Sequence, residues 1–559
     1  DSTANLSKSY LLTANINCNG VSITPMQNGF TYFSGVLDGG SKTISNVSLT
    51  CASAICGLFS RLAGATVKDL TLASFTVSST YDNVGALAGY SSGTVTLTNL
   101  AVSGVNVSGA NTVAGVISTC GVCIINDVHV SGSVTASGDY AAGIVANLGG
   151  NTAHASVVND SSSSVTVSGG SFVGGLIGYE YRSSYDATVG VFNSNFTGSA
   201  TSSGANKYGA GGIAGYTWNI AVADSWSSGS VTGVDDVGGI TGNSRSSSRI
   251  TRSWTSGSIT STTVSCSAGA GGIAGSTENS GSVSESYSVA SITAVCRSGG
   301  VVGNGSASIS NSFFRGSLTR SSGTDASFGG VTGRGNGSIT NSYAATTNAY
   351  AYGSGLAGDI QYSPTCTSAY WDTSTSGRTT TYCAAGATGK TTSEMTTQAT
   401  FSGWDFSTIW NIDPSKNSGY PFLRSVGGPA SDGTAPTFSS AELMANGTKL
   451  VLTFNEALHA TTAPASAFTV TASAVLITPS AAVVNGSTVE LTLPSALESS
   501  ASITVAYVAP AANSATSNAA VQDSAGNDAV SFSGRPVTNS STADATAPTA
   551  SWTAPSSPS

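Results

Sequence analysis

Charged residues are scarce in this chain. Only 8% of its 559 residues are Asp, Glu, Lys or Arg, against roughly 25% in an ordinary soluble domain, so solubility falls to Ser, Thr, Asn and exposed backbone. The 19 Lys and Arg form no block, and the net charge of −9 is spread thinly. Nucleic acid and anionic membrane surfaces are therefore poor partners. No apolar run reaches the length of a transmembrane helix, so no membrane insertion is expected of this segment. No signal-peptide pattern opens it, and its first residues already read as structure, which fits a mature or trimmed chain. The three histidines, His129, His154 and His459, do not align into a metal triad.

Carboxylates are equally dispersed. Asp82, Asp186, Asp224, Asp235, Asp236, Glu278, Glu285 and Asp325 fall at different phases of the pattern described next. A polysaccharide lyase or hydrolase needs such groups clustered on one face. Asp235-Asp236 is the densest acidic spot and reads as an exposed loop pair. Gly89-Tyr90-Ser91-Ser92-Gly93 matches a nucleophile-elbow string, but no helix is expected after it. No enzyme is expected.

Against these absences stands a recurring phrase. It reads Gly211-Gly212-Ile213-Ala214-Gly215, then Gly238-Gly239-Ile240-Thr241-Gly242, Gly271-Gly272-Ile273-Ala274-Gly275, Gly299-Gly300-Val301-Val302-Gly303 and Gly329-Gly330-Val331-Thr332-Gly333. Earlier copies begin at Val84 and Val173, and a degenerate one closes at Gly358. From Gly215 the closing glycines lie 27, 33, 28, 30 and 25 residues apart, a period that marks a repeat architecture. Each repeat adds an Ile or Val followed four residues later by an aromatic: Val222/Trp226, Ile250/Trp254, Val283/Tyr287, Ile309/Phe313 and Ile339/Tyr343. In the first four, an aliphatic follows at Val231, Ile259, Ile292 and Leu318.

Spacings inside the phrases are fixed, and the polar gaps between them vary. That combination means stacked rungs with loops at corners. Segments of four to six residues rich in Val, Ile, Thr and aromatics are strands, too short for paired helices. The expected fold is all-β: a right-handed parallel β-helix, three strands per coil. Glycine serves such a coil at positive-φ corners and where backbones approach closely. Asp224, Arg252, Glu285, Asn311 and Asn341 cannot all point inward uncharged, so a corner is placed there. Ile213, Ile240, Ile273, Val301 and Val331 are predicted to form one buried column, and Trp226, Trp254, Tyr287, Phe313 and Tyr343 another.

The Gly-Gly-aliphatic-x-Gly phrase with its following Ile/Val-x-x-Ser-aromatic resembles the GLUG-motif repeats of bacterial surface proteins. Phe33-Ser34-Gly35 near the start and Tyr370-Trp371-Asp372, Gly403-Trp404-Asp405-Phe406 and Gly419-Tyr420-Pro421-Phe422-Leu423 near the end fit the same resemblance. It implies an extracellular β-helix of adhesins and other large surface proteins, and supplies no catalytic residue. Residues 1–365 are assigned to this helix and 366–427 to its C-terminal cap. In the cap, Thr391-Thr392-Ser393-Glu394 has capping-box spacing, and Trp404, Phe406, Ile409, Trp410 and Phe422 are expected over the last rung.

Residues 432–541 form a different module, with alternating strands suited to a β-sandwich. Phe454-Asn455-Glu456-Ala457-Leu458 and Val521 to Asp528 resemble the immunoglobulin-like (Ig-like) repeats of giant bacterial motility and adhesion proteins. Residues 542–559 are a linker to a further module, because Thr546-Ala547-Pro548-Thr549 echoes Thr434-Ala435-Pro436-Thr437. Glu456, Asp523, Asn527 and Asp528 carry oxygen ligands suited to calcium, the one metal ion kept as a candidate. The plainer reading is a polar turn ending a strand.

Nine cysteines point to an oxidising compartment. Cys266 and Cys296 lie one repeat apart, so stacking sets them within disulfide reach, and Cys366 and Cys383 bracket a small loop. Cys18, Cys51, Cys56, Cys120 and Cys123 have no unique pairing, although Cys120-Gly-Val-Cys123 suits a local disulfide. Ser/Thr ladders at Ser230/Thr232, Ser258/Thr260, Ser291/Thr293 and Ser317/Thr319 would line an outer face, with unequal loops arguing against a flat lattice. The functional expectation is a structural or adhesive segment of a secreted or cell-surface bacterial protein. It would contact surface glycans or other copies of itself. A polysaccharide-binding or polysaccharide-degrading β-helix is the alternative.

Overall fold

A computed structural model describes residues 5–543, except 22, 26–30, 52–53, 150–155, 205–207, 263–265, 267, 323–326, 350–352, 360, 415, 432–434, 459–461, 510–519 and 524–526. The chain divides into two compact units, residues 1–413 with 420–427, and residues 414–419 with 428–559.

The first unit is a parallel β-solenoid of about eleven turns. Its spine is a column of paired positions without a break. The column runs from Leu37 through Val67, Leu97, Ile125, Val158 and Val191. It continues through Val222, Ile250, Val283, Ile309 and Ile339 to Cys366. Every member is buried, and burying each such aliphatic contributes about 1.5–3 kcal/mol. The predicted aliphatic column is also inside: Ile213, Ile240, Ile273, Val301 and Val331 are all 0% exposed. Each of the first four donates its N–H to the carbonyl of the next at 2.9 Å.

Strands run long in early turns, as in Ala88–Gly109 and Ile117–Ala136, but several later turns contain five short strands where three longer ones were expected. In one turn they are Ala210–Gly211, Ala214–Trp218, Ala221–Ala223, Trp226–Ser227 and Ser230–Gly233. The extra break lies at the corner expected midway through the aromatic phrase. Asp224, Arg252, Glu285, Asn311 and Asn341 are left-handed there, with φ between 46° and 52°. One such residue swings the chain outward and resets the alternation, so the next residue turns in.

That next residue is a serine, and its role was not anticipated. Ser225, Ser253, Ser286, Ser312 and Ser342 are 0% exposed. Each hydroxyl accepts the N–H of the serine in the preceding rung: Ser253 N to Ser286 Oγ is 3.1 Å and Ser312 N to Ser342 Oγ is 3.1 Å. The same hydroxyl donates to a carbonyl two residues back, as Ser286 Oγ does to Ser284 O at 2.8 Å. Corner amides that would lack a sheet partner are thus satisfied in series.

The Gly-Gly pair is explained by close approach. A Cβ on Gly299 would lie 2.1 Å from the Val302 carbonyl oxygen, and one on Gly300 would lie 2.1 Å from the Phe314 ring. Neither glycine has positive φ. The lumen is too narrow at this level for a side chain opposite the residue that follows each aromatic.

The aromatic column departs from expectation. Trp226, Trp254, Tyr287, Phe313 and Tyr343 do stack, with centroids 4.8–6.1 Å apart and planes within 10°. They stack on the outer side of the coil, and Trp226 and Trp254 are only partly buried. Tyr287, Phe313 and Tyr343 are buried because the cap folds back along this flank. The Tyr287 hydroxyl donates to Gly427 O and the Tyr343 hydroxyl to Pro421 O, each at 2.7 Å. Trp410 packs against Phe313 and Tyr343. The cap therefore covers a side as well as the last rung. Of its two four-residue helices, Thr373–Ser376 and Thr392–Met395, the second opens with the capping box of Thr391 and Glu394.

The second unit holds two sheets around one hydrophobic core containing Leu450, Leu452, Phe468, Val470, Val489, Leu491, Val505 and Tyr507. Its first sheet has five strands, the outermost being Ala481–Asn485 and Thr538–Asn539. The second has four, between edges Val475–Ile477 and Phe532–Pro536.

Candidate functional site

What the solenoid offers to other molecules is set by its outward positions. One wall carries hydroxyls at every position but Asn106. A column from Ser48 and Thr76 passes through Asn106, Ser133, Thr166 and Ser199, then Ser230, Ser258, Ser291 and Ser317. A second column, two residues along, runs from Thr50 to Thr319 in the same register. Between them Leu49, Val77, Val107, Val134, Val167, Ala200, Val231, Ile259, Ile292 and Leu318 point inward and are buried. This alternation holds the hydroxyls outward at a rung spacing of about 4.8 Å. Neighbours bond along the column, as Ser258 Oγ does to Ser230 Oγ at 2.9 Å. The unequal loops fall at corners and leave this wall uninterrupted, so they do not spoil its regularity as expected.

A second wall has different chemistry. Its column on the outer side of the coil reads Arg61, Tyr90, Thr119, Asn147, Tyr179, Tyr216, Asn243, Ser276, Asn304 and Arg334, of which Tyr216, Asn243 and Ser276 are covered and buried. Alongside, Tyr181, Trp218 and Arg245 occupy consecutive rungs. Tyr179 and Tyr216 stack at 5.1 Å and meet the Tyr140–Phe172–Tyr208 stack edge-on. Arg245 lies over both Tyr208 and Tyr216 and pairs with Glu278. Burial raises the Tyr216 hydroxyl above its ordinary range, opposed by Arg245. The wall ends in a cleft of about 370 Å³ lined by Glu278, Arg297, Asn304, Arg334, Asn336 and Tyr362, among others.

Two buried carboxyls are strongly perturbed. Glu180 is 0% exposed, between Leu148 and Thr217 on neighbouring rungs, and burial pushes its pKa up to about 8 against the pull of Arg182. Asp235 and Asp236, expected in an exposed loop, are buried. Asp236 accepts from Asn243 Nδ2 at 2.6 Å and from Gly269 N at 3.1 Å. Desolvation still pushes it up to about 7. Through Gly269, 33 residues on, it holds two rungs together, a link that no local spacing reveals.

Four disulfides close the cysteine question. Cys266–Cys296 and Cys366–Cys383 pair as expected, with Cα atoms 5.1 and 5.7 Å apart. Cys51–Cys56 and Cys120–Cys123 are local pairs, and Cys18 is a buried free thiol. The candidate calcium ligands lie in the second unit. Asp523 is buried and its carboxylate accepts from Asn527 N at 2.9 Å and Asn527 Nδ2 at 2.7 Å. Asp528 bridges back to Gln522, and Glu456 follows the strand ending at Phe454. This is the hydrogen bonding of a polar turn. Among the described residues, no three His, Cys, Asp or Glu side chains gather in metal-binding geometry. His154, His459, Asp325 and the Thr546-Ala547-Pro548-Thr549 echo lie outside the described residues. Among those described, no helix is long and apolar enough to cross a membrane.

Residues 431–512 match a family described as a putative flagellar system-associated repeat. That stretch lies in the second unit. No curated protein matches the chain. Among solved structures, a putative immunoglobulin A1 protease from Bacteroides ovatus aligns over 75% of this chain and 87% of its own. It is 15% identical with a TM-score of 0.25, a likeness that carries no argument about this chain.

Proposed function

We propose that the chain is a structural or adhesive segment of a secreted or cell-surface bacterial protein: a stalk, an adhesin or a fibre subunit. Its solenoid belongs, on this reading, with GLUG-type repeats and its second unit with Ig-like repeats of motility and adhesion proteins. The carrying observation is the uninterrupted hydroxyl column from Thr50 to Thr319, in register on every rung. Repetition at a fixed spacing suits many weak contacts with surface glycans or with further copies, where multivalency builds avidity from poor single sites. Four disulfides fit an oxidising compartment outside the cytoplasm. The match to a flagellar system-associated repeat fits a surface role. No catalytic step is assigned to any residue.

Exposure on the cell tests this. A membrane-impermeant biotin reagent applied to intact cells producing the full-length protein should label the lysines of this segment. Labelling only after lysis would contradict the proposal.

A further inference from the structure

His129 is the one histidine among the described residues, and both of its ring nitrogens are engaged on the outer side of the coil. Nδ1 lies 2.7 Å from the Ser162 hydroxyl, and Nε2 lies 2.9 Å from Asp127 Oδ1. A carboxylate only accepts, so in the neutral ring Nε2 carries the proton and Nδ1 accepts the serine O–H. Other outward ladders pair like with like: amide with amide from Asn126 through Asn159 to Asn193, and hydroxyl with hydroxyl at Ser230 and Ser258. Here a nucleophile, a base and a carboxylate that orients the base stand in series, each contact within a reach of about 2.6–3.2 Å.

The backbone fixes this arrangement. His129 and Ser162 are paired positions on adjacent rungs. Asp127 occupies the left-handed corner two residues before His129, with φ 58°. The buried Ser161 hydroxyl accepts Val128 N at 3.1 Å, and Ser161 N donates to Ser194 Oγ at 3.1 Å. Three rungs are thereby clamped beside the base and the nucleophile, and Val130 and Ser163 are buried behind them. Side chains on such strands are held more precisely than side chains on loops.

The same column continues through Asn195 to Trp226. Asn195 makes no side-chain hydrogen bond among the described residues. Its amide stands one rung, about 4.8 Å, from Ser162, where it can donate to an oxyanion formed on an acyl group. Trp226, stacked on Trp254 and only partly buried, adds an apolar surface one rung further on. The His129 and Asp127 side chains are 54% and 46% exposed. An open site stabilises an oxyanion less than a water-excluded one, which suits esters, with their better leaving groups, and disfavours peptide bonds.

We propose that Ser162, His129 and Asn195, with Asp127 positioning the imidazole, hydrolyse short-chain O-acyl esters. Ser162 Oγ bonds to the acyl carbon as its proton passes to His129 Nδ1. The C–O bond to the alcohol then breaks, and the alcohol leaves with that proton. Water adds to the acyl-serine and gives a proton to Nδ1. The carboxylic acid departs as the proton returns to Ser162 Oγ, so ester and water become acid and alcohol. This activity goes beyond the stalk or adhesive role, which needs no chemistry, and does not depend on it.

Two measurements on the full chain test it: labelling with a biotinylated fluorophosphonate followed by peptide mapping, and hydrolysis of p-nitrophenyl acetate. The parent should be labelled at Ser162 and should turn over the ester. Ser162→Ala and His129→Ala should lose both, whereas Ser308→Ala, on another wall, should keep both. Asn195→Ala and Asp127→Asn should each lower kcat about tenfold or more with KM unchanged, a split that mere destabilisation does not produce. All of these side chains are outward, and circular dichroism melts establish that each variant is folded. No label at Ser162, label retained there in folded His129→Ala, hydrolysis by Ser162→Ala equal to the parent's, or kcat unchanged in Asp127→Asn and Asn195→Ala would each overturn the proposal.

Discussion

The backbone amide of Ser253 donates to the hydroxyl of Ser286 at 3.1 Å, across 33 residues of sequence and one rung of the solenoid. Ser253 in turn accepts the amide of Ser225 at 3.3 Å. A chain of buried hydroxyls thus replaces sheet bonding at a corner where the left-handed residue has turned the strand away. Ser253→Ala strands the Ser225 amide in the interior, which costs about 1–3 kcal/mol. Ser258→Ala, on the exposed wall, should stay within about 0.5 kcal/mol. Denaturant titration of the two variants checks this, and equal stabilities would remove the ladder from the account.

The narrow lumen makes a double-mutant prediction. Gly300→Ala places a methyl against the Phe314 ring, at 2.1 Å before relaxation, and should destabilise by about 1–3 kcal/mol. Phe314→Ala alone should cost about 3–5 kcal/mol through its cavity. Combined, the new methyl occupies space the ring has vacated, so the double variant should be more stable than the sum of the two losses implies. Additive losses would mean that the two residues do not oppose each other.

These two relationships show what was legible in the sequence. The Gly-Gly phrase and the Ile213-to-Val331 column could be placed because backbone approach and apolar burial leave a period of identity. The serine was visible in the repeated phrase, but its bond is to the next rung, and one repeat read alone gives no hint of it. Stacking of the Trp226-to-Tyr343 series was readable from spacing. Its side was not, because an aromatic fits equally in a lumen or under a cap, and here the cap returns along the flank. The second wall escaped notice because Tyr179, Asn304 and Arg334 share a position without sharing a residue type.

Stability should fall as pH rises from about 5 to about 8. Burial raises Glu180 from 4.5 to about 8 and Asp236 from 3.8 to about 7. Between the unfolded and folded values the native chain keeps protons that the unfolded chain has released, so each added pH unit in that window favours unfolding. Glu180→Leu, which copies Leu148 on the adjacent rung, should raise the melting temperature at pH 8 and flatten the slope. A parent protein whose melting temperature climbs between pH 5 and 8 would contradict these assignments.

Peptide mapping without reduction should recover Cys51–Cys56, Cys120–Cys123, Cys266–Cys296 and Cys366–Cys383, with Cys18 alkylated only after denaturation. Replacing both Cys266 and Cys296 by Ser should cost about 2–4 kcal/mol, because the bond closes a 30-residue loop. Free thiols at these eight positions in secreted material would remove the support for an oxidising compartment.

Immunogold electron microscopy of intact producing cells, with antibodies raised against the solenoid unit, tests the surface role most directly. Gold particles on projections or fibres outside the envelope are predicted. Gold confined to the cytoplasm would contradict the account.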